Sequence, residues 1–446
     1  MTPSNPLRRV GRLVALLALA GSSLNHLHAR PAAMSQARPS GPAGENLSVR
    51  LITVGPGREV WELFGHNALW IRDTTTGADV AYDYGRFDFA EQGFLWRFAR
   101  GHMRYWTAAS DPTRMIEFYL SRDRSVWVQE LNLSPSAREE LRRFLAWNVQ
   151  PDNRYYRYDY YRDNCSTRLR DVLDMVAGGA LRRALADSVP GTTWRSISDR
   201  LLAPDPLAFT GTKLALGLPS DRAISRWDET YIPMRLQRYL REVTVAGPDG
   251  IEVPLVAHEE TVFLGSVNPL GSRPPRWYLA YLAIGLGWAG VVWLVARAAA
   301  AGRPGGRAGL RAAAGLWLLA GGLGGMVLVF LWLGTDHAMS RANENILQLN
   351  PLALVLLPLL GPALRRPGGG WARVAAILAG AVALGSLVGL LIKAVPALDQ
   401  ANLQVVALTL PVNISVALVL WRSYRAATTG AVAPEVAGPA VSATTT

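Results

Sequence analysis

Residues 160–174 read YYRDNCSTRLRDVLD and hold Cys165, the only cysteine in a chain of 446 residues. One cysteine cannot close a disulfide within its own chain. It is either a small buried apolar side chain or a thiol kept for chemistry. Asp163 and Asn164 are both good N-caps. Behind them Leu169, Val172, Leu173 and Val176 recur at helical spacing, and Gly178-Gly179 ends the run. The spacing predicts a helix with Cys165 in its first turn. Free backbone N–H groups and the positive end of a helix dipole make such a position favourable to a thiolate, the nucleophile of covalent acyl chemistry.

A nucleophilic thiol calls for an imidazole, and there are six histidines. His26 and His28 lie in the N-terminal segment, His258 precedes two glutamates, and His102 sits among basic and aromatic residues. His66 lies in FGHNALWIRD, at the start of a predicted strand and after a glycine that lets another group come close. We take His66 as the partner. A third group usually orients such a ring. Asp83, on the following strand, and Glu62, a turn before His66, are both candidates, and the sequence does not choose between them.

Around these residues the chain from 47 to 270 reads as an α+β domain. LSVRLITVG, GHNALWIRD and VAYDYGRFDF are predicted strands. PSAREELRRFLAWNV is a predicted helix, capped by Ser134 or Ser136, with Leu141, Phe144 and Leu145 on its apolar face.

Half of all residues are hydrophobic, which points to a membrane-embedded part. We count five apolar spans, about 277–296, 313–334, 349–364, 372–392 and 403–421, within a transmembrane domain over 275–425. The third is short and proline-bearing, so a partly re-entrant path is expected. Arg297, Arg303, Arg307 and Arg311 lie in one loop, Arg365, Arg366 and Arg373 in another, and Arg422 and Arg425 after the last span. The alternate side holds Arg273, Arg276, Arg341 and Lys393. Nine against four places the richer side in the cytoplasm and the α+β domain outside it. Residues 1–30, with Arg8, Arg9 and Arg12 before the apolar run Leu13–Ala20, read as an export signal or N-terminal anchor, which requires the same orientation. Residues 31–46 read as a linker and 426–446 as a disordered tail.

The net charge of +12 is carried almost wholly by arginine, with lysine only at 213 and 393. Together with a high alanine content this reflects genome base composition, and no nucleic-acid partner is expected. One cysteine and scattered histidines exclude zinc-type spacing, and no metal or cofactor is expected.

The stretches ITVGPGREVWELFGHNALWIRD (52–73), YDYGRFDF (82–89), RGHMRYW (100–106), YYRDNCSTRLRD (160–171), LGLPSD (216–221), DETYIPMRL (228–236) and DHAMSRANENILQLNPL (336–352) together resemble the lipoprotein N-acyltransferase Lnb family. The likeness runs over roughly residues 48 to 420, through both domains in order. It implies a circularly permuted, papain-like (NlpC-type) thiol fold in which histidine precedes cysteine, here by 165 − 66 = 99 residues, followed by an all-α bundle of about five transmembrane helices. It implies an acyltransferase of the cytoplasmic membrane with Cys-His catalysis, a phospholipid acyl donor and a lipoprotein acceptor. Asn164, beside the cysteine, and His337, Asn343 and Asn345, in the loop between the second and third spans, are candidate substrate-binding residues, because polar groups at membrane depth are costly unless paired or functional. The rival readings are an extracytoplasmic cysteine peptidase or amidase of the cell envelope, which would use the same dyad without needing five spans, and a non-catalytic membrane protein.

Overall fold

The computed structural model describes residues 43–247, 250–267 and 277–429. The predicted export segment and most of the linker and tail lie outside the described residues. The chain forms two compact units. The first takes the chain up to Thr210, Ser220–Pro275 and the tripeptide Thr335–His337; the second takes Gly211–Pro219, Arg276–Gly334 and Ala338 onward.

The first unit is α+β. Its sheet is built from β1 (Leu47–Val54), β2 (His66–Asp73), β3 (Asp79–Arg86), β4 (Arg104–Ser110), β5 (Val126–Leu131), β6 (Tyr155–Arg157) and, after a two-stranded ribbon formed by β7 (Thr244–Ala246) and β8 (Glu252–Pro254), β9 (Val256–Phe263). The order is β6-β4-β3-β2-β1-β5-β9, and every neighbouring pair is antiparallel. Alternation along β2 sets its two faces: Asn67, Leu69 and Ile71 turn to one side, His66, Ala68 and Trp70 to the other.

Helices cover both faces. On one, α3 (Pro135–Asn148), α4 (Cys165–Val176) and α5 (Pro233–Leu240) bury Leu141, Leu145, Leu169, Leu173 and Leu236 against Leu51, Leu69 and Tyr84. Each fully buried leucine contributes roughly 1.5–3 kcal/mol. On the other, α2 (Pro112–Leu120) brings Met115 and Tyr119 against Val54, Ala68 and Ala81. A further short helix, α1 (Phe94–Arg100), lies between two left-handed glycines, Gly93 and Gly101. Ser134, not Ser136, caps α3, accepting from Ala137 N at 3.2 Å.

The second unit is helical. α6 (Tyr278–Ala300), α7 (Gly306–Leu333), α8 (Gly370–Leu391) and α9 (Leu403–Thr429) are long and apolar. Among the described residues four helices can therefore cross a membrane, or five if the bent pair Ala338–Leu347 and Leu352–Arg365 counts as one span. That pair bends by 42° where the short proline-bearing span is read from sequence. Small residues, among them Ala375, Ala376 and Ala379, are buried along α8 and let helix backbones approach closely.

Candidate active site

Cys165 opens α4. Asn164 is the N-cap: its Oδ1 accepts from Ser166 N at 2.9 Å and Thr167 N at 3.0 Å, and Thr167 Oγ1 accepts from Asn164 N at 2.7 Å, closing a reciprocal capping box. This cap, worth about 1 kcal/mol, fixes the turn that carries the thiol. Cys165 is free and half-buried.

His66 opens β2. Gly65 before it has φ +84°, and a Cβ there would sit 2.7 Å from Val54 O, so the chain can enter β2 at this point only without a side chain. His66 Nε2 lies 3.0 Å from Asp83 Oδ2. With Nε2–H donating to the carboxylate, Nδ1 is the nitrogen left free, and the nearby Cys165 thiol acts on the ring electrostatically. Burial alone would push the imidazole down. Electrostatic interaction with Tyr119 and Cys165 and the Asp83 hydrogen bond outweigh it and hold the His66 pKa well above 6.5.

Asp83 is wholly buried and stands directly opposite Ala68 in the β2–β3 register. Burial works to raise its pKa, but Arg86 and His66 prevail and hold the carboxyl below its usual range. Arg86 donates from Nε to Asp83 Oδ1 at 3.0 Å, and its Nη2 lies 2.8 Å from Asp83 Oδ2. In a regular strand residues three apart face opposite ways. Here Asp83 pairs with Ala108 and Arg86 with Trp106, so β3 holds one residue more than β4 over this interval. This β-bulge, at Gly85 with φ +92°, turns Arg86 back onto the face of Asp83. A Cβ at Gly85 would stand 3.5 Å from Cys165 Cβ, so the bulge lies beside the first turn of α4.

The arrangement is a row: Arg86, Asp83, His66, Cys165. It can draw a proton from the thiol, hold the resulting imidazolium against a buried carboxylate, and return the proton to a leaving group.

Two family models match this chain. One describes the Lnb N-terminal periplasmic domain and covers residues 43–200; the other describes the Lnb transmembrane domain and covers residues 305–426. The chain belongs to the Lnb family. Lnb proteins form a family of membrane lipoprotein N-acyltransferases, so the α+β unit is a periplasmic domain and the protein a multi-pass membrane protein. Comparison with curated proteins and with solved structures gives no match.

The other residues singled out in this Lnb sequence lie elsewhere or are already committed. Glu62 pairs with two arginines, Arg122 Nη1 at 3.1 Å and Arg124 Nη1 at 3.6 Å, and the carboxylate bonded to His66 is Asp83. Asn164 gives its amide hydrogens to Tyr160 O and Tyr231 O, both at 2.9 Å, and its oxygen to the cap; it builds the helix start and has no donor left for a substrate. Asn343 donates to Leu214 O and Ala215 O at 2.7 and 3.1 Å, and Asn345 to Lys213 O and Leu214 O at 2.9 and 3.1 Å. Those carbonyls are the orphan acceptors at the end of the helix Pro206–Ala215, so both asparagines serve as its C-terminal cap within the second unit. His337 belongs to the first unit, where it stacks on Tyr160 with ring centroids 5.8 Å apart and its Nε2 lies 3.0 Å from Phe98 O.

Two residues of the site, Arg86 in the row and Tyr119 beside it, are not marked by the sequence reading. Arg86 was hidden by the bulge, although a glycine inside a strand pattern is the available signal. Tyr119 lies on α2, with its ring 6.1 Å from that of His66 and under the Arg124 guanidinium at 4.9 Å. No local pattern marks it.

Proposed function

We propose that this protein moves an acyl chain from a phospholipid to the α-amino group of a lipoprotein's N-terminal cysteine, through a thioester on Cys165. The observation that carries the reading is His66 held between Asp83 and the thiol of Cys165 at the start of a capped helix, in a chain of the Lnb family.

In the first half-reaction His66 Nδ1 takes the thiol proton. The thiolate attacks the ester carbonyl, the C–O bond breaks, His66 returns the proton to the leaving oxygen, and lysophospholipid departs. In the second, the lipoprotein amine attacks the thioester, an amide forms, and the C–S bond breaks. The amine proton passes through His66 back to sulfur. No oxidant or reductant is consumed. Backbone N–H groups of the first turn of α4 are suited to the oxyanion. Asp83, pinned by Arg86, holds the ring in the tautomer that directs Nδ1 to sulfur. The reaction takes place at the periplasmic face of the cytoplasmic membrane, and the resemblance to permuted papain-like folds accords with histidine on a strand and cysteine at a helix start.

The test is mass spectrometry of lipoprotein N-termini in a strain lacking its own N-acyltransferase. Expression of the wild type adds one acyl chain to the terminal amine, and Cys165→Ser does not. A wild type that leaves the amine free overturns the function; acylation by Cys165→Ser overturns the thioester.

A further inference from the structure

Helix α1 is apolar on the wrong side. Phe94 faces inward, packed with Met103 and Tyr105. Yet Leu95, Trp96 and Phe98 are 51%, 60% and 41% exposed, and Trp61, in the short turn Val60–Glu62, is 51% exposed. Trp61 is linked through Phe89 to the buried side of the helix, with centroids 6.3 Å from Trp61 to Phe89 and 5.2 Å from Phe89 to Phe94. Single exposed apolar residues are ordinary, but three on one seven-residue helix, a tryptophan among them, mark an interaction surface. Arg100 lies over the Trp96 ring at 5.8 Å, the pairing of aromatic and cation found at the headgroup level of bilayers.

The end of α1 carries the second observation. Asp336 N donates to Arg100 O at 2.9 Å, His337 Nε2 lies 3.0 Å from Phe98 O, and Asp336 Oδ2 bonds His102 and Arg157 at 2.7 and 2.8 Å. A Cβ at Gly101 would meet His337 N at 3.1 Å, so this packing is close. Thr335–His337 belongs to the periplasmic unit, but along the chain only Gly334 separates it from Leu333, the last residue of the apolar helix α7. Covalent continuity therefore ties α1 to a point where the chain has just left lipid.

The third is a run of rings inward from α1. Phe94 stacks with Phe87 at 5.8 Å, Phe87 with Tyr105 at 4.9 Å, and Tyr105 with Tyr158 at 4.4 Å. Tyr158 Cε2 and Cys165 Cβ flank the same open side of Gly85, at 3.8 and 3.5 Å from where a Cβ would be.

We propose that α1 is a lipid-contacting lip: Leu95, Trp96 and Phe98 rest in the periplasmic leaflet of the bilayer, and the rings behind them form the path along which an acyl chain reaches Cys165. The occupant of this face is the bilayer itself. The lip stands on its own geometry; the path rests on the proposed acyl transfer.

The test uses the full chain in phospholipid nanodiscs. In a Cys165→Ser background, which removes the sole thiol, Leu95→Cys, Trp96→Cys and Trp147→Cys are each labelled with the environment-sensitive fluorophore NBD. Trp147 is 56% exposed on α3 and serves as the reference. Positions 95 and 96 show blue-shifted emission and about twofold or greater quenching by lipids spin-labelled near the headgroup, as for an apolar face seated 5–10 Å deep, while position 147 shows neither. Equal behaviour at all three positions overturns the lip. The path is tested with Cys165 intact: Trp96→Glu slows acylation of Cys165 from vesicle phospholipid about tenfold or more, while alkylation by water-soluble iodoacetamide keeps its wild-type rate. An unchanged acylation rate overturns the path. If wild-type Cys165 takes no acyl chain, the proposed function and the path fall together, and the quenching result still decides the lip.

Discussion

Around Cys165, polar side chains face one another with reactive atoms left over; at Asn345, both amide hydrogens and the amide oxygen are taken. Cys165 is half-buried and His66 is held by Asp83 on one side only. Asn345, fully buried, gives both amide hydrogens to carbonyls and accepts from Asn402 Nδ2 at 2.8 Å, while Gln348, Ser386, Thr409 and Asn413 bond one another nearby. Both clusters are rich in groups that a sequence reader takes for a site. What separates them is the remaining capacity: a satisfied amide holds a fold together, and an imidazole with one free nitrogen beside a thiol can move a proton.

The sharpest way to break this contrast is to remove the sulfur. Cys165→Ser should lower acyl transfer by about 10⁴-fold or more while the thermal unfolding midpoint stays near wild type. Retained transfer would place the nucleophile elsewhere.

Next comes the choice between the two carboxylates. Asp83→Asn should cost about 10²–10⁴-fold in kcat/KM, because an amide favours the wrong imidazole tautomer. Glu62→Gln, whose partners are Arg122 and Arg124, should cost less than about tenfold. The reverse order would make Glu62 the orienting group.

In the bundle the effect should be on stability. Asn345→Ala removes two buried hydrogen bonds to the end of the helix Pro206–Ala215 and should destabilise the protein by about 1–3 kcal/mol, read as a lower unfolding midpoint in detergent, with kcat/KM per folded molecule unchanged. Lost activity at an unchanged midpoint would return Asn345 to the substrate site.

The smallest effect is a pH dependence. The folded pKa of His66 lies above its unfolded value, so its contribution is complete below about pH 6.5 and fades as pH rises through the folded value. The stability gap between wild type and His66→Gln should therefore narrow on going to alkaline pH. A gap that widens there would show that the ring is neutral in the folded protein.

Much of this was legible from residue order. Caps and apolar spacing located α4 and put Cys165 in its first turn; alternation located β2 and put His66 at its head. These are local signals, and tertiary packing had no reason to override them. Two things were not legible. The partner of Asp83 depends on a bulge that realigns residues 83 and 86, and strand periodicity assigns those to opposite faces. The role of Asn343 and Asn345 depends on carbonyls some 130 residues earlier in the chain, which no window of sequence brings into view. Polarity at membrane depth signalled that these residues mattered, but not that their partners were already supplied.

The bulge in β3 sets a constraint on length as well as identity. Adding one residue to β4 opposite it, between Trp106 and Ala108, would restore a regular pleat with Asp83 and Arg86 three apart, send the guanidinium to the far side of the sheet, and leave the buried carboxylate with the imidazole as its remaining counter-ion. The turn at Thr74–Gly77, where the side chains are exposed, is under no such demand. Insertions should then pass almost unnoticed at the tip of the β2–β3 hairpin and be intolerable in the stretch of β4 that faces the bulge.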